Sequence, residues 1–207
     1  MKSLTALLLS TSVFVALAAA PWRESFDQVK PGTLPQGWTG AQSGEGKPVW
    51  AVVADPSAPS KPNALKQSGN ASYPLAIQDS SALKDGFVEV KFKPVAGEDD
   101  QAGGVVWRYK DAGNYYVARA NALEGNVRIY HFLNGKRTQF KGLNLPVATG
   151  QWHTLRVEFA GSQFKVSLNN KPMFDAEDAT HKDSGKVGLW TKADSVTLFD
   201  DFSFGSK

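Results

Sequence analysis

Arg108, Tyr115, Arg119, Asn121, Asn126, Arg128 and Tyr130 occupy alternating positions in three consecutive runs rich in aromatic and β-branched residues. Side chains of a strand alternate between its two faces, so this spacing gathers the seven on one face of a sheet. Planar guanidinium and amide groups hydrogen-bond neighbouring hydroxyls in pairs, and tyrosine rings stack on the apolar C–H face of a sugar. Such a patch prefers acidic or hydroxyl-rich ligands to apolar ones. The register places Arg119 opposite Arg128, and like charges directly opposed across strands destabilise a sheet. Glu124 and Asp194 are the carboxylates expected to neutralise them, or to accept sugar hydroxyls. Trp190 and Lys192, from a late strand, are expected beside the patch.

The complementary positions, Val105, Trp107, Tyr109, Tyr116, Ala118, Val127, Ile129 and His131, read as the core face. This parity assumes two four-residue loops, 110–113 and 122–125, which pair Tyr109 with Asn114 and Asn121 with Asn126. A bulge would flip one strand. Other chemistries find little support. There is no cysteine, no Gly-x-Ser-x-Gly elbow, no phosphate-binding glycine loop and no His-Glu-x-x-His motif. His131, His153 and His181 lack metal-ligand spacing and read as structural. Glu124 with Asp194 is the one carboxylate pair left open for a glycoside hydrolase or lyase.

The elements that must position these residues are strands. The chain has 207 residues, and beyond residue 20 short apolar and aromatic runs alternate with Gly, Asn, Asp and Pro, with almost no helical period. Asn134-Gly135 is a tight-hairpin signal because a type I′ turn needs positive φ twice. Ala160-Gly161 and Asn169-Asn170 read as two more hairpin tips, and 103–174 as an antiparallel meander. The Pro31–Gly46 and Pro56–Pro62 stretches read as loops within one domain spanning 21–207. Residues 1–20 carry Lys2, an apolar run from Leu4 to Leu17 and Ala18-Ala19-Ala20, the pattern of a cleaved signal peptide. The mature chain is therefore expected to be exported, to the periplasm or outside the cell, with no membrane insertion. A net charge of +3 with no Lys/Arg run argues against nucleic acid.

Three further segments carry a family resemblance: Gly103–Tyr109 with Asn114–Glu124, Trp152–Val157, and Gly185–Ser195 with Phe199-Asp200-Asp201-Phe202. They resemble exported bacterial proteins of the concanavalin A-like lectin/glucanase superfamily, often labelled family 16 glycoside hydrolase-like or 3-keto-disaccharide hydrolase domain. The resemblance implies an all-β jelly-roll β-sandwich of two curved antiparallel sheets, with carbohydrate on the concave face. Retaining family 16 enzymes carry Glu-x-Asp-x-(x)-Glu on one strand, and no such run exists here. The expectation is a non-catalytic carbohydrate-binding protein. A hydrolase or lyase using Glu124 and Asp194, and a structural or protein-binding envelope module, stand as alternatives. The resemblance also implies that the terminal strands lie side by side, where Asp27, Asp200 and Asp201 could hold a structural calcium or simply be solvated and cap turns; no other cofactor is expected.

Overall fold

The computed structural model describes residues 20–206, so the targeting segment lies outside the described residues apart from Ala20. Fifteen strands and no helix make up these residues: β1 (Trp22–Glu24), β2 (Trp38–Lys47), β3 (Trp50–Ala54), β4 (Asn63–Gln67), β5 (Asn70–Leu83), β6 (Gly86–Ala96), β7 (Ala102–Asp111), β8 (Asn114–Asn121), β9 (Asn126–Leu133), β10 (Lys136–Asn144), β11 (His153–Ala160), β12 (Gln163–Leu168), β13 (Lys171–Glu177), β14 (Gly185–Trp190) and β15 (Val196–Gly205). They form two antiparallel sheets stacked as a jelly-roll sandwich. One runs β13-β12-β11-β6-β15-β4-β3, with β1 added to β15, and the other runs β10-β9-β8-β7-β14-β5-β2.

Alternation puts the apolar side chains of both sheets into one layer. Val105, Trp107, Tyr116, Ala118, Val127 and Ile129 face Val88, Val90, Phe92, Leu155, Val157, Phe159 and Phe164 there, all buried. Trp107 stacks on Tyr116 and Phe159 at centroid distances of 5.3 and 5.9 Å, geometry that adds to simple area burial. The Asn134-Gly135 and Asn169-Asn170 hairpin tips hold positive φ at both residues, as expected. The third tip is one residue further on, since Ala160 pairs with Gln163 and leaves Gly161-Ser162 in the turn.

Two expectations fail for local reasons. Pro31–Gly46 is not all loop: β2 occupies its second half as an edge strand that is exposed over much of its length. Its run of Gly, Ser and Gln carries no strand propensity. The register of β7 is the second failure. Asn121 pairs with Asn126, but Asn114 pairs with Asp111 rather than Tyr109, and a bulge lies between Trp107 and Asp111. Arg108 takes φ +48° in this bulge, an uncommon conformation for a non-glycine residue. Tyr109 is thereby moved off the core face, and Arg108 is turned into the core.

The expected calcium ligands do not converge. Asp27 accepts the Asn63 N–H at 3.1 Å. Asp201 pairs with Lys91 at 2.7 Å. Asp200 accepts the N–H and hydroxyl of Ser60 at 2.8 and 2.6 Å and the Asp201 N–H at 2.7 Å. Each carboxylate is held by an internal donor, and among the described residues no group of three or more His, Asp or Glu could hold a metal ion. This donor set does not fit calcium.

Asp200 instead offers a pH test. Burial pushes its carboxyl up to about 6, against the donors that surround it. A carboxyl raised on folding contributes stability that is fully present below its unfolded value and lost as pH rises through the folded one. Relative to Asp200→Asn, which cannot ionise, the wild type should gain stability as pH falls from about 7.5 to about 5. Urea midpoints of the two proteins at both pH values check this; parallel behaviour would contradict it.

Candidate functional site: the concave face

The outer face of the second sheet is strongly concave. β2 and β8 are four strand steps apart in the sheet order, about 19 Å in a flat sheet. Yet Ser43 Oγ on β2 lies 2.8 Å from Tyr115 Oη on β8, and Ser43 also donates to the carbonyl of Ala112. Bulges in the β2–β5, β14–β7, β7–β8 and β9–β10 pairs supply the curl. The face therefore closes over a small aromatic floor instead of lying open to water. Tyr115 stacks on Phe132 at 4.3 Å, and Tyr73 stacks on Trp190 at 5.7 Å while meeting Phe132 edge-on at 5.1 Å. Burial raises the Tyr115 hydroxyl well above the usual tyrosine range.

Beside this floor stands a charged cluster. Arg119 and Arg128 are directly opposed, flanked across the sheet by Gly104 and Gly142. A Cβ at Gly104 would meet the Ala118 carbonyl at 2.7 Å, and one at Gly142 would meet the Arg128 side chain at 2.3 Å, so both glycines make room. Each guanidinium is held by its own set of partners. Arg119, 3% exposed, donates to Glu124 at 2.6 Å, to Tyr130 Oη at 3.1 Å and to the Asn126 side chain. Arg128 donates instead to Asn144 at 2.5 Å and to the Val127 carbonyl at 3.3 Å.

Lys192 completes the cluster, 2.5 Å from Asp100 and 3.7 Å from Glu124. Asp100 is fully buried and also accepts from Asn121 at 2.6 Å. Burial raises its carboxyl, and Lys192 only partly offsets this. For Glu124, 38% exposed, burial acts in the same direction, but Arg119, Asn126 and Lys192 outweigh it and hold the carboxyl below its usual value. Glu124 is thus an ionised acceptor at the rim, beside a shallow groove between 122–125 and 144–147.

Of the expected contacts, Tyr115, Arg119, Asn121, Arg128, Tyr130, Trp190 and Lys192 lie on this face or at its border. Tyr115, Asn121 and Trp190 are fully buried and serve as its floor and braces. Arg108 is a correction. It is 1% exposed and donates to the carbonyls of Lys84, His181 and Gly161 at 2.9, 2.7 and 2.7 Å, with Asp85 at 3.3 Å. Its guanidinium lies over Phe159 and Phe164 of the opposite sheet. Asp194 accepts the N–H groups of Glu98, Asp99 and Asp100 at 2.6, 3.1 and 3.0 Å, which overcome burial and hold its carboxyl low. It braces the loop carrying Asp100 and, among the described residues, shares no hydrogen-bond or ion-pair partner with Glu124. Two members escaped the sequence reading: Tyr73, and Arg137, whose guanidinium lies over the rings of Tyr73 and Tyr130 at 4.9 and 4.6 Å. Arg137 was within reach of the sequence, because the Asn134-Gly135 turn pairs it with Phe132 on the same face as Tyr130.

The chain resembles known proteins in both sequence and fold. It is 30% identical over 94 residues, 45% of its length, to a levanase of Bacillus subtilis (strain 168), and that stretch spans 14% of the levanase. Among solved structures it resembles the carbohydrate binding module CBM66 from Bacillus subtilis, with a TM-score of 0.67 and 22% identity over 82% of this chain and 96% of that one. It also resembles a Bacillus licheniformis β-glucanase, with a TM-score of 0.55 and 14% identity over 91% and 99%. At these identities the likeness to solved structures is one of fold. Residues 21–204 match the 3-keto-alpha-glucoside-1,2-lyase-like domain, and the chain belongs to that family.

Proposed function

We propose that this is an exported protein that binds carbohydrate without cleaving it, on the concave face of the second sheet. The observation that carries this reading is the pairing of a partly exposed ring, Tyr73, propped on the buried Trp190, with the charged group Arg119, Glu124, Lys192 and Arg137 on one concave face. Aromatic faces take the apolar side of a sugar ring, while fixed forks and an ionised acceptor take its hydroxyls. The levanase and the carbohydrate binding module support the same ligand class. Export is supported by the composition of residues 1–20 and by the family match starting at residue 21.

A second reading, a lyase or hydrolase, is favoured by the family's own description and by Glu124, whose ionised and half-exposed carboxylate could serve as a base. A glycosidase would also need a carboxylic acid that keeps its proton near neutral pH and reaches the ligand. Asp100 is raised but fully buried, and Asp194 is held low by three N–H groups. Non-catalytic binding is therefore preferred to hydrolysis, and the lyase is decided by the products below.

A glycan array carrying levan, β-glucans, xylans and galactans, with and without uronate groups, tests both readings. Retention of a glycan with no new reducing ends or unsaturated products is expected. Product formation that disappears in Glu124→Gln would establish the enzyme instead. Retention of no glycan would favour a structural or protein-binding module.

A further inference from the structure

Arg137 differs from every other cation of the concave face. Arg119 and Lys192 share Glu124, and Lys192 also holds Asp100. Arg128 has amide and carbonyl partners but no carboxylate. Arg137 makes no side-chain hydrogen bond or ion pair among the described residues, and its Nη1 is buried without a partner. It is held only by the two tyrosine rings beneath it. The cluster thus sets four cations against two carboxylates, leaving two guanidinium groups unneutralised in a partly desolvated concavity.

Neutral hydroxyls would supply acceptors to Arg137 but would leave that charge imbalance in place. A carboxylate supplies both, and its planar pair of oxygens matches the guanidinium fork. The stacking on Tyr73 and Tyr130 also limits the rotamers of Arg137 in advance, so less freedom is lost when a ligand arrives. We infer that the concave face takes a uronate-bearing sugar, with Arg137 receiving the carboxylate. This inference rests on the reading that the face binds carbohydrate.

Calorimetry on the full chain compares oligogalacturonate and oligoglucuronate with the neutral galactose and glucose oligomers of equal length. The uronates should bind at least about tenfold more tightly, with affinity falling as salt rises. Arg137→Gln should remove most of this preference, whereas Arg137→Lys should keep part of it, since the charge remains but the fork does not. Near-UV circular dichroism checks that the variants fold. If Arg137→Gln does not fold, the ratio of uronate to neutral affinity and its salt dependence in the wild type decide the matter. Equal affinity for neutral and acidic oligomers, or a preference unchanged in a folded Arg137→Gln protein, would overturn the uronate inference and leave the sugar site standing. Binding of none of these oligomers, together with an array that retains no glycan, would overturn both.

Discussion

Replacing Arg108 by Ala should destabilise the protein by about 3–5 kcal/mol, the sum of several buried carbonyls left without a donor. The side chain bridges three backbone carbonyls from the 84, 161 and 181 regions, and its guanidinium lies over Phe159 and Phe164. Removing it leaves these acceptors without their donor, each at a cost of about 1–3 kcal/mol where water cannot replace it. The loss should spread through the attached network. His181 N–H donates to Tyr116 Oη, Tyr116 donates to Asp178, and Asp178 meets His131 Nδ1 at 3.0 Å. Arg108→Lys should rescue little, because one ammonium cannot reach three carbonyls arriving from different directions. Ligand affinity should be unchanged while the protein remains folded, since Arg108 is absent from the concave face. An unmoved urea midpoint, or a selective loss of binding, would show that Arg108 works elsewhere.

The second large effect is expected at Arg119, where binding and stability should separate. Arg119→Ala removes the donor that holds Glu124, Asn126 and Tyr130 Oη in place. Affinity for any retained glycan should fall about tenfold to a hundredfold, the value of one or two charged hydrogen bonds. The folding cost should be smaller, about 1–3 kcal/mol. Glu124 is partly exposed and keeps Lys192 nearby, and relief of the opposition to Arg128 offsets some of the loss. Calorimetry beside a denaturation curve reads both quantities. Unchanged affinity in the folded variant would remove Arg119 from the site.

The two arginines also mark how far the sequence was legible. The opposition of Arg119 to Arg128 followed from the loop between Asn121 and Asn126, whose length was read correctly. Arg108 was misplaced because the preceding loop is shorter than its composition implies. Asp111 accepts the Gly113 N–H at 2.7 Å, a local turn that lets the strand run on to Asp111 and forces the surplus residues into a bulge. Nothing in a period of two reveals such a bulge. β5 is hard to see in the sequence for a related reason: Pro74 interrupts its apolar pattern, although its carbonyl accepts the Thr191 N–H at 3.0 Å. Tyr73 was lost with it. The depth of the concavity could not be read at all, because curvature comes from several bulges acting together across seven strands. The curl is why Tyr115, Asn121 and Trp190, expected as contacts, are buried and lie beneath or beside the reach of a ligand.

Sugar binding on the concave face of the second sheet can be mapped residue by residue. Titrating isotope-labelled protein with a glycan retained on the array, and following its amide, arginine and indole signals by NMR, tests this most directly. Saturable shifts confined to β8, β9, β10, β14 and the 122–125 loop are expected, with the Arg119 and Arg137 side chains and the Trp190 indole among them. Shifts confined to the opposite sheet, around Lys91, Lys93 and Arg156, would contradict binding on this face.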